Sequence, residues 1–472
     1  MNPFLNPINA LPILKNYITD PNRIDRLDKN QMNKYKDKVF KKIFRYAYSI
    51  PLYHNKYKKH NIYPNGIKGL KDISKLPFIT KKDFIDNYPD GLLPKNYNKK
   101  YSNIVTTSGS TGKPVSFYID FMTLAKSLSF FFRLGKIYNF NWRKVKVASI
   151  GNFSKGKADQ VFDETIMSKS SFLYNKNNKL WLNAFDEMKD IVNKLNKFKP
   201  DYIVSYPITF QQLAYFKKKG YADNVNPKIL VASGYVLDEY TRDYVQNAFN
   251  CKLLNTYTSA ESYGDISFEC FDYTWHINHD FYHLEAVDPD NKLVSPGEKG
   301  HVVFTRLFGK ATPFIRYLGM DDWVTLLPDD KCSCGLETPI IKNGVEGRQS
   351  TSIVLPNGKI FPSASFAIVS LILKDLKTYK VTQFQIIQHK IDKIDINLVI
   401  DEDLRNKGPS VELIFDKIKK AYEEKVGPDV TITVKEVKRI KSPPGKPLPL
   451  VISKIKPEEG FRKTEETSFK NK

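Results

Sequence analysis

Three short apolar segments that alternate with helical stretches constrain the fold of this chain more than any other feature. They span residues 145–151, 201–207 and 228–234, and each contains valine and isoleucine. Strands separated by helices pair in parallel, because the crossover helix returns the chain to the same end of the sheet. Ligands of such sheets bind beyond the carboxyl ends of the strands, so Ser233, Gly234 and the loop at Tyr206 are candidates for a binding pocket.

A loop rich in hydroxyl side chains and glycine precedes these segments. Its sequence, TTSGSTGKPVS, occupies residues 106–116. Glycine lets the backbone approach an anion closely, and hydroxyl groups with free backbone N–H groups can surround phosphate oxygens. The loop is not a Walker A motif, because Thr107 stands where that motif needs glycine and Pro114 where it needs serine or threonine. It predicts phosphate binding or, as the alternative, a polar surface turn.

This loop resembles the phosphate loop of the adenylate-forming superfamily of acyl- and aryl-CoA ligases. Lysine before proline, together with YAYSIPLYHNKY at residues 46–57, is most similar to the phenylacetate-CoA ligase branch, which includes CapK-like proteins linked to surface polysaccharides. The resemblance implies an α/β fold, with a large N-terminal layered adenylation domain and a small mobile C-terminal α/β domain. We place the boundary between residues 1–347 and residues 348–472. The family would hold the β- and γ-phosphates of ATP with Ser108, Gly109, Ser110, Thr111, Gly112 and Lys113.

Two further segments match the parts of the family that hold a nucleotide. NTYTSAE at residues 255–261 resembles the Tyr-Gly-x-Thr/Ser-Glu motif, which implies that Thr256 and Tyr257 lie against the nucleotide and that Glu261 holds Mg²⁺. A carboxylate close behind an aromatic residue suits a cation beside a stacked purine. The pattern Arg-Tyr-x-x-x-Asp implies that Asp321 binds ribose, with Asp322 as the alternative match.

Two basic residues match the catalytic positions of the family. Gly347-Arg348 resembles the hinge between the domains, and Arg348 is always charged and could reach ribose or phosphate. Lys446, in SPPGKPLPL, matches the catalytic lysine near the C-terminus, which would neutralise charge that develops in the transition state. The alternative is that Lys446 is an ordinary lysine in a proline-rich linker.

Four sulfur and imidazole groups form a candidate metal site. Cys270, His276, Cys332 and Cys334 supply the ligand set of a tetrahedral Cys₃His zinc site, and some phenylacetate-CoA-ligase-like proteins carry a similar set. The alternative is that the cysteines are buried free thiols. His279, His283 and Cys251 are interpreted as structural or exposed.

Periodicity predicts helices and strands outside the parallel segments. Apolar residues at three- and four-residue spacings predict a helix over 30–49, and Thr80 with Asp83 predicts a capped helix start. A second helix, rich in leucine and phenylalanine, is predicted over 121–138. After residue 348 the sequence predicts helices over 361–376 and 411–426, and strands over 384–388, 394–400 and 430–437.

Charge and composition exclude several classes of function. The net charge of +23 comes from lysines spread from end to end, without an arginine-rich block or an RNA-binding motif, so we expect no nucleic-acid partner. The charge favours anionic substrates and leaves weak attachment to an anionic membrane surface open. No apolar run reaches the roughly 20 residues of a membrane span, and residues 1–18 do not have the pattern of a signal peptide. Four cysteines in 472 residues make a reducing cytoplasm the expected location.

Three functions follow from these motifs. The first is an acyl- or aryl-CoA ligase that uses ATP, Mg²⁺ and CoA. The second, suggested by GRQSTSIVLPNGKIFPS and QFQIIQ, is a CapK-like ligase that activates a uronic or amino acid to decorate a surface polysaccharide. The third is a non-catalytic scaffold, because Ala260 replaces a hydroxyl residue of the nucleotide motif, and Gln349 and Ser350 stand where the family has an acidic residue after the hinge arginine. The acid, the acceptor and the oligomeric state stay open.

Overall fold

A computed structural model describes residues 2–107, 114–348, 351–440 and 448–455. Its helices are α1 (Pro7–Thr19), α2 (Arg23–Arg26), α3 (Lys29–Ala47), α4 (Pro51–Lys59), α5 (Lys81–Asn87), α6 (Phe121–Ile137), α7 (Ala158–Phe162), α8 (Met188–Phe198), α9 (Pro207–Lys218), α10 (Glu239–Phe249), α11 (Ser363–Phe366), α12 (Val369–Asp375) and α13 (Val411–Val426). Its strands are β1 (Ile79–Thr80), β2 (Ser102–Thr106), β3 (Ser116–Asp120), β4 (Val147–Gly151), β5 (Lys179–Asn183), β6 (Tyr202–Ser205), β7 (Ile229–Ser233), β8 (Lys252–Thr258), β9 (Asp265–Glu269), β10 (Trp275–Ile277), β11 (Tyr282–Val287), β12 (Lys299–Arg306), β13 (Tyr317–Leu318), β14 (Trp323–Lys331), β15 (Glu337–Ile341), β16 (Ile353–Val354), β17 (Ile360–Phe361), β18 (Val381–Lys390), β19 (Lys393–Ile400), β20 (Thr431–Glu436) and β21 (Val451–Ser453).

One large mixed sheet organises the N-terminal part of the chain. Its strand order is β1-β13-β12-β14-β15-β10-β9-β8-β7-β6-β4-β5, with β11 paired to β12. The strands β5, β4, β6, β7 and β8 are parallel, and β9 then turns the sheet antiparallel. The parallel half confirms the βαβ units predicted from the sequence, because the helices α8, α9 and α10 connect its strands. The carboxyl ends of β4, β6, β7 and β8 therefore meet at one edge.

A smaller domain follows the large sheet. Its four strands have the order β20-β19-β18-β21, and the helices α12 and α13 share a hydrophobic core with them. The α13 helix spans the predicted residues and ends at Gly427, whose φ of 85° is favourable for glycine and costly for other residues. A buried glutamine ties the β16–β17 hairpin to this sheet, since the side chain of Gln388 bonds both the N–H and the carbonyl of Val354.

The prediction of a single helix over 361–376 is wrong. Residues 360–361 form β17, which pairs with β16 across a turn at Gly358. The helical part is divided into α11 and α12, because Ala367 leaves the helical conformation with a ψ of 51°. Pro362, which lacks an N–H group, fits the start of α11 as its N-cap.

A buried charge cluster fixes the N-terminal segment on the large domain. Arg133 donates to both oxygens of Asp280, at 2.9 and 2.7 Å, and to the carbonyl of Asp20 at 2.6 Å. Arg23 pairs with Asp280 at 2.9 Å and with Asp20. Burial alone would raise the pKa of Asp280, but the two guanidinium groups hold it at about 2. The carboxylate is therefore ionised at neutral pH, and the end of α1 cannot shift without exposing it.

The other long predicted helices are confirmed within a residue or two of their predicted limits. The α3 helix begins with a capping box formed by Asp28 and Gln31, and α5 begins with one formed by Thr80 and Asp83. In the part of the chain that the structure describes, no helix combines the length and apolar character needed to cross a membrane.

Candidate active site

The carboxyl ends of the parallel strands place small polar groups side by side. Ser233 ends β7 and Thr258 ends β8, and their hydroxyl oxygens lie 2.9 Å apart. The next residue, Gly234, has a φ of 79°, and a Cβ there would lie 3.4 Å from the ring of Tyr206. The Tyr206 ring in turn contacts Tyr235 edge-on, with centroids 5.6 Å apart. The pocket residues predicted from the strand pattern are thus neighbours.

The strands β2 and β3 bring the glycine-rich loop to the same edge. Thr106 pairs with Ser116, and Thr107 bonds Val115 through both its N–H group and its hydroxyl. The N–H of Thr106 donates to the carbonyl of Gly156, which follows β4. The predicted phosphate-binding residues Ser108, Gly109, Ser110, Thr111, Gly112 and Lys113 lie outside the described residues. The described residues on either side, Thr106 and Ser116, belong to two paired strands that lie beside the carboxyl end of β4.

Three of the predicted site residues contact one another beside this edge: Tyr257, Asp322 and Arg348. The hydroxyl of Tyr257 donates to Asp322 Oδ2 at 2.7 Å, and Arg348 Nε lies 3.4 Å from Asp322 Oδ1. Tyr257 and Asp322 are buried, while Arg348 is half-buried. We call Tyr257, Asp322 and Arg348 the nucleotide triad. The nucleotide triad connects the end of β8, at Tyr257, to the predicted hinge, at Arg348.

Burial and mutual attraction set the ionisation of the nucleotide triad. Burial raises the pKa of Tyr257 far above its usual range, so the phenol stays a donor at every physiological pH. Burial also raises the pKa of Asp322, while Arg348 and the Tyr257 hydroxyl oppose that rise. Burial would lower the pKa of Arg348, but Asp322 and Glu261 outweigh it and raise the pKa. Arg348 therefore stays cationic next to two carboxylates.

Glu261 is buried at the end of the segment that follows β8. Its backbone carbonyl accepts a hydrogen bond from Arg306 Nη1 at 2.9 Å, and Arg306 also donates to the carbonyl of Thr312. Within the described ranges, no donor bonds the carboxylate of Glu261. The backbone is thus fixed by a buried arginine while the side-chain oxygens are available to a cation, which fits the predicted magnesium ligand.

The two adjacent aspartates have different surroundings. Asp321 has a φ of 60° and pairs with Lys81 at 2.9 Å, whereas Asp322 belongs to the nucleotide triad. The sequence pattern did not reveal Lys81, because 240 positions separate it from Asp321. Lys446 lies outside the described residues, but Leu448, two positions later, is buried, and Gln385 donates to the carbonyl of Pro449 at 2.9 Å. The segment that follows Lys446 is therefore held on the sheet of the small domain.

Sequence reasoning missed a carboxylate next to the end of β4. Asp159, on α7, accepts the N–H of Asn152 at 2.9 Å, and its Oδ2 would lie 2.6 Å from a Cβ at Gly151. Asp159 as a whole residue is exposed. Protein atoms around its carboxyl group nevertheless displace water, and this desolvation raises the pKa of the carboxyl. Asp159 lies beside the end of β4, at the edge where the parallel strands end. A lone aspartate in a short helix carries no motif that could have indicated this position.

The four predicted zinc ligands come together in space. Their ligand atoms all lie within 4.8 Å of one another, although Cys270 and His276 are about sixty residues from Cys332 and Cys334. Cys270 Sγ lies 3.8 Å from Cys332 Sγ, and Cys334 Sγ lies 3.3 Å from His276 Nε2. A tetrahedral zinc ion with bonds of about 2.3 Å to sulfur and about 2.05 Å to nitrogen requires separations of about 3.8 Å and about 3.6 Å.

The second ring nitrogen of His276 has a partner of its own. His276 Nδ1 lies 2.8 Å from the hydroxyl oxygen of Thr338, which orients the ring. A proton on Nδ1 leaves the lone pair of Nε2 directed at the sulfur atoms. The donor set and its spacing therefore fit zinc.

Comparisons with known proteins identify relatives of this chain. Residues 363–454 match the family model described as the CapK C-terminal domain. Over 395 residues the chain is 24% identical to a phenylacetate-coenzyme A ligase of Thermus thermophilus, covering 80% of this chain and 84% of the relative. Over 403 residues it is 24% identical to protein CapK of Staphylococcus aureus, covering 83% of each.

Solved structures show the same fold. A 2-hydroxyisobutyryl-CoA ligase in the postadenylation state matches with a TM-score of 0.72 at 17% identity, covering 90% of this chain and 89% of that one. The same ligase in the thioesterification state matches with a TM-score of 0.59 at 16% identity, covering 90% of each chain. The resemblance to the phenylacetate-CoA ligase and CapK branch is confirmed, and so is the α/β fold with a separate small C-terminal domain.

Proposed function

We propose that this chain is an ATP-dependent, AMP-forming ligase that adenylates a carboxylic acid and transfers the acyl group to an acceptor, in the first instance CoA. The observation that carries the proposal is the nucleotide triad. Its tyrosine, aspartate and arginine lie at the carboxyl edge of a parallel sheet, beside buried Glu261, whose carboxylate accepts no hydrogen bond from the described residues. Curated relatives that cover most of the chain carry ligase names, which supports the same class of enzyme.

Each part of the site has a separate task in this reaction. Tyr257 lies against adenine, Asp321 binds ribose, and Asp322 positions Tyr257 and Arg348. Bound Mg²⁺, held by Glu261, would neutralise charge on the phosphate oxygens. A carboxylate oxygen of the acid attacks the α-phosphorus, the bond from that phosphorus to the bridging oxygen breaks, and pyrophosphate leaves. Lys446 stabilises the negative charge of that transition state.

The arrangement of the two domains supports the adenylation half of the reaction. The structure is more similar to a ligase in the postadenylation state than to the same ligase in the thioesterification state. In the second half-reaction the acceptor must reach the acyl carbonyl, and rotation of the small domain would open that path.

ATP–pyrophosphate exchange tests the proposal. Purified protein is incubated with ATP, Mg²⁺, labelled pyrophosphate and one acid at a time, from arylacetates, hydroxy acids, uronic acids and amino acids. We expect exchange with at least one class and AMP as the nucleotide product. CoA and then amines are added to identify the acceptor. Formation of ADP contradicts the mechanism, and absence of exchange with every class favours the non-catalytic scaffold.

A second candidate function is activation of a hydrophilic acid, as in the CapK-like hypothesis. Asp159 favours it, because a carboxylate at the pocket edge is costly next to an aryl ring and favourable next to an ammonium or hydroxyl group. The CapK C-terminal domain match supports the same choice. The substrate would then be an amino acid or a uronic acid rather than an arylacetate.

Replacing Asp159 separates the two candidates. We expect Asp159→Asn to lower exchange with the hydrophilic acid by about tenfold or more, because a charge-assisted hydrogen bond is lost, and to raise exchange with arylacetates. Asp163→Asn, which changes a carboxylate that follows α7, is the matched control. Equal loss with every acid would show that Asp159 supports the fold and does not select the substrate.

The Cys₃His cluster supports a further assignment, a structural zinc ion. Cys270 follows β9, His276 belongs to β10, and the other two cysteines lie between β14 and β15. A zinc ion there would hold together the turn between β9 and β10 and the turn between β14 and β15. It lies on strands other than the four whose ends form the pocket, so we assign it no part in the reaction.

A further inference from the structure

The α1 helix turns its apolar face towards solvent. The outer face of α1 carries Ile8, Leu11, Leu14 and Ile18, which are 81%, 69%, 54% and 56% exposed. Leu5, just before the helix, is also exposed. A helix on the surface of a globular protein normally places such residues inward. The α1 helix instead turns an apolar stripe about 15 Å long, from Ile8 to Ile18, towards solvent.

Polar contacts on the inner face prevent α1 from rotating to bury this stripe. Asn16 accepts a hydrogen bond from Lys126 Nζ, on α6, at 2.9 Å. Asp20, directly after the helix, belongs to the buried cluster with Arg23 and Arg133. Rotation of α1 would leave charged groups of that cluster unpaired in the protein interior, so the stripe is a fixed feature of the surface.

A second exposed apolar pair extends the stripe at its amino-terminal end. Phe172 and Leu173 are exposed, and the ring of Phe172 contacts Phe4 with centroids 6.5 Å apart. At the opposite end, Trp142 Nε1 donates to the hydroxyl of Tyr17 at 3.4 Å. Tryptophan and tyrosine are the side chains that favour the boundary between water and lipid.

The two segments that carry the stripe and the apolar pair contain basic residues and no acidic ones. Residues 2–19 contain Lys15, and residues 168–178 contain Lys169 and Lys176, all of which are exposed. Arg143 and Lys144 are exposed beside Trp142. A second copy of this chain would set these cations against the same cations, whereas an anionic lipid surface complements them.

We propose that α1 and the Phe172–Leu173 pair form a membrane-contact surface that lies in the interface of a bilayer rich in anionic lipids. The apolar side chains enter the boundary between headgroups and acyl chains, and the flanking lysines contact lipid phosphates. This surface is independent of the nucleotide triad.

Vesicle sedimentation tests the proposal on the full chain. We expect binding to vesicles of phosphatidylcholine with roughly one third phosphatidylglycerol, and weaker binding to phosphatidylcholine alone or at about 1 M salt. Leu11→Asp with Ile18→Asp should lower the binding constant by about tenfold or more, because two apolar side chains leave the lipid and two negative charges face it. The matched control is Leu371→Asp with Leu413→Asp, which changes two exposed leucines of the small domain.

The melting temperature and the rate of pyrophosphate exchange of both double variants are measured in parallel. Unchanged values with lost vesicle binding support the proposal. Failure of the unmodified chain to bind either type of vesicle would overturn it. It would also be overturned if both double variants bound equally well. A stable dimer that only the Leu11 and Ile18 changes dissociate, without vesicle binding, would assign the surface to a second copy instead.

Discussion

Tyr257→Phe is the substitution that most directly tests the nucleotide triad. The change keeps the aromatic ring and removes a hydroxyl that donates to a buried carboxylate at 2.7 Å. A hydrogen bond to a charged group contributes about 1.5–3 kcal/mol to stability. Among the described side chains, the Asp322 carboxylate would then keep its ion pair with Arg348, at 3.4 Å, as its one polar contact. A domain of about 350 residues unfolds with an entropy of about 0.7 kcal/mol/K, so we expect the midpoint of thermal unfolding to fall by about 2–4 °C. The KM for ATP should rise, because Arg348 loses the carboxylate geometry that positions it.

The effect of this substitution depends on pH with a defined sign. The Tyr257 hydroxyl lowers the pKa of Asp322, so its removal raises the pKa further. The loss of stability is therefore smaller where Asp322 is protonated in both proteins and grows as the pH rises through the two pKa values. Scanning calorimetry of both proteins across the pH range measures this difference in stability.

Tyr263→Phe is the matched control for this experiment. The hydroxyl of Tyr263 is also buried, but it has no hydrogen-bond partner among the described residues. Its removal should leave stability unchanged or slightly higher, since no bond is lost. Equal changes in melting temperature and in the KM for ATP for the two variants would refute the role assigned to the triad.

Three other substitutions test separate features. Asp265→Asn should raise the melting temperature more at about pH 8 than at about pH 4, because burial raises the pKa of Asp265 to about 7 and its charged form destabilises the fold as the pH rises through that value. Cys270→Ser should abolish the stoichiometric zinc that metal analysis is expected to find, whereas Cys251→Ser, which changes a cysteine outside the cluster, should not. Lys446→Ala should lower pyrophosphate exchange by about 10²–10³ without a change in melting temperature, and wild-type exchange would remove its catalytic assignment.

Local patterns predicted the parts of the fold that depend on neighbouring residues. Periodicity and end signals within a few residues predicted the parallel strands β4, β6 and β7 and the helices α3, α5 and α13. The parallel strands β5 and β8 were not predicted. The helix over 361–376 was not predicted correctly, because pairing of β17 with β16 outweighed its helical periodicity.

Contacts between distant residues could not be predicted from the pattern alone. Lys81 reaches Asp321 across 240 positions, and Arg306 reaches the carbonyl of Glu261 across 45. Such pairs depend on the strand order of the large sheet. The predicted zinc ligands were identified because Cys and His carry a recognisable chemistry, whereas Asp159 carries a chemistry that most surface aspartates share.

The first residues of the predicted hinge, 346–348, are bonded to the large domain. The N–H of Trp323 donates to the carbonyl of Gly347 at 2.8 Å, the N–H of Glu346 donates to the carbonyl of Trp323 at 3.0 Å, and Arg348 forms a bridge with Asp322. Residues 346–348 are therefore bonded to the first residues of β14 and move with the large domain. In the proposed reaction Arg348 would keep its contact with Asp322 in both half-reactions, and the small domain would rotate about residues that follow Arg348 in the sequence. An arginine that stays with the large domain suits a binding role in that reaction. Lys446 lies in the sequence between β20 and β21 of the small domain, so it is the group that the proposed rotation would withdraw once the adenylate has formed.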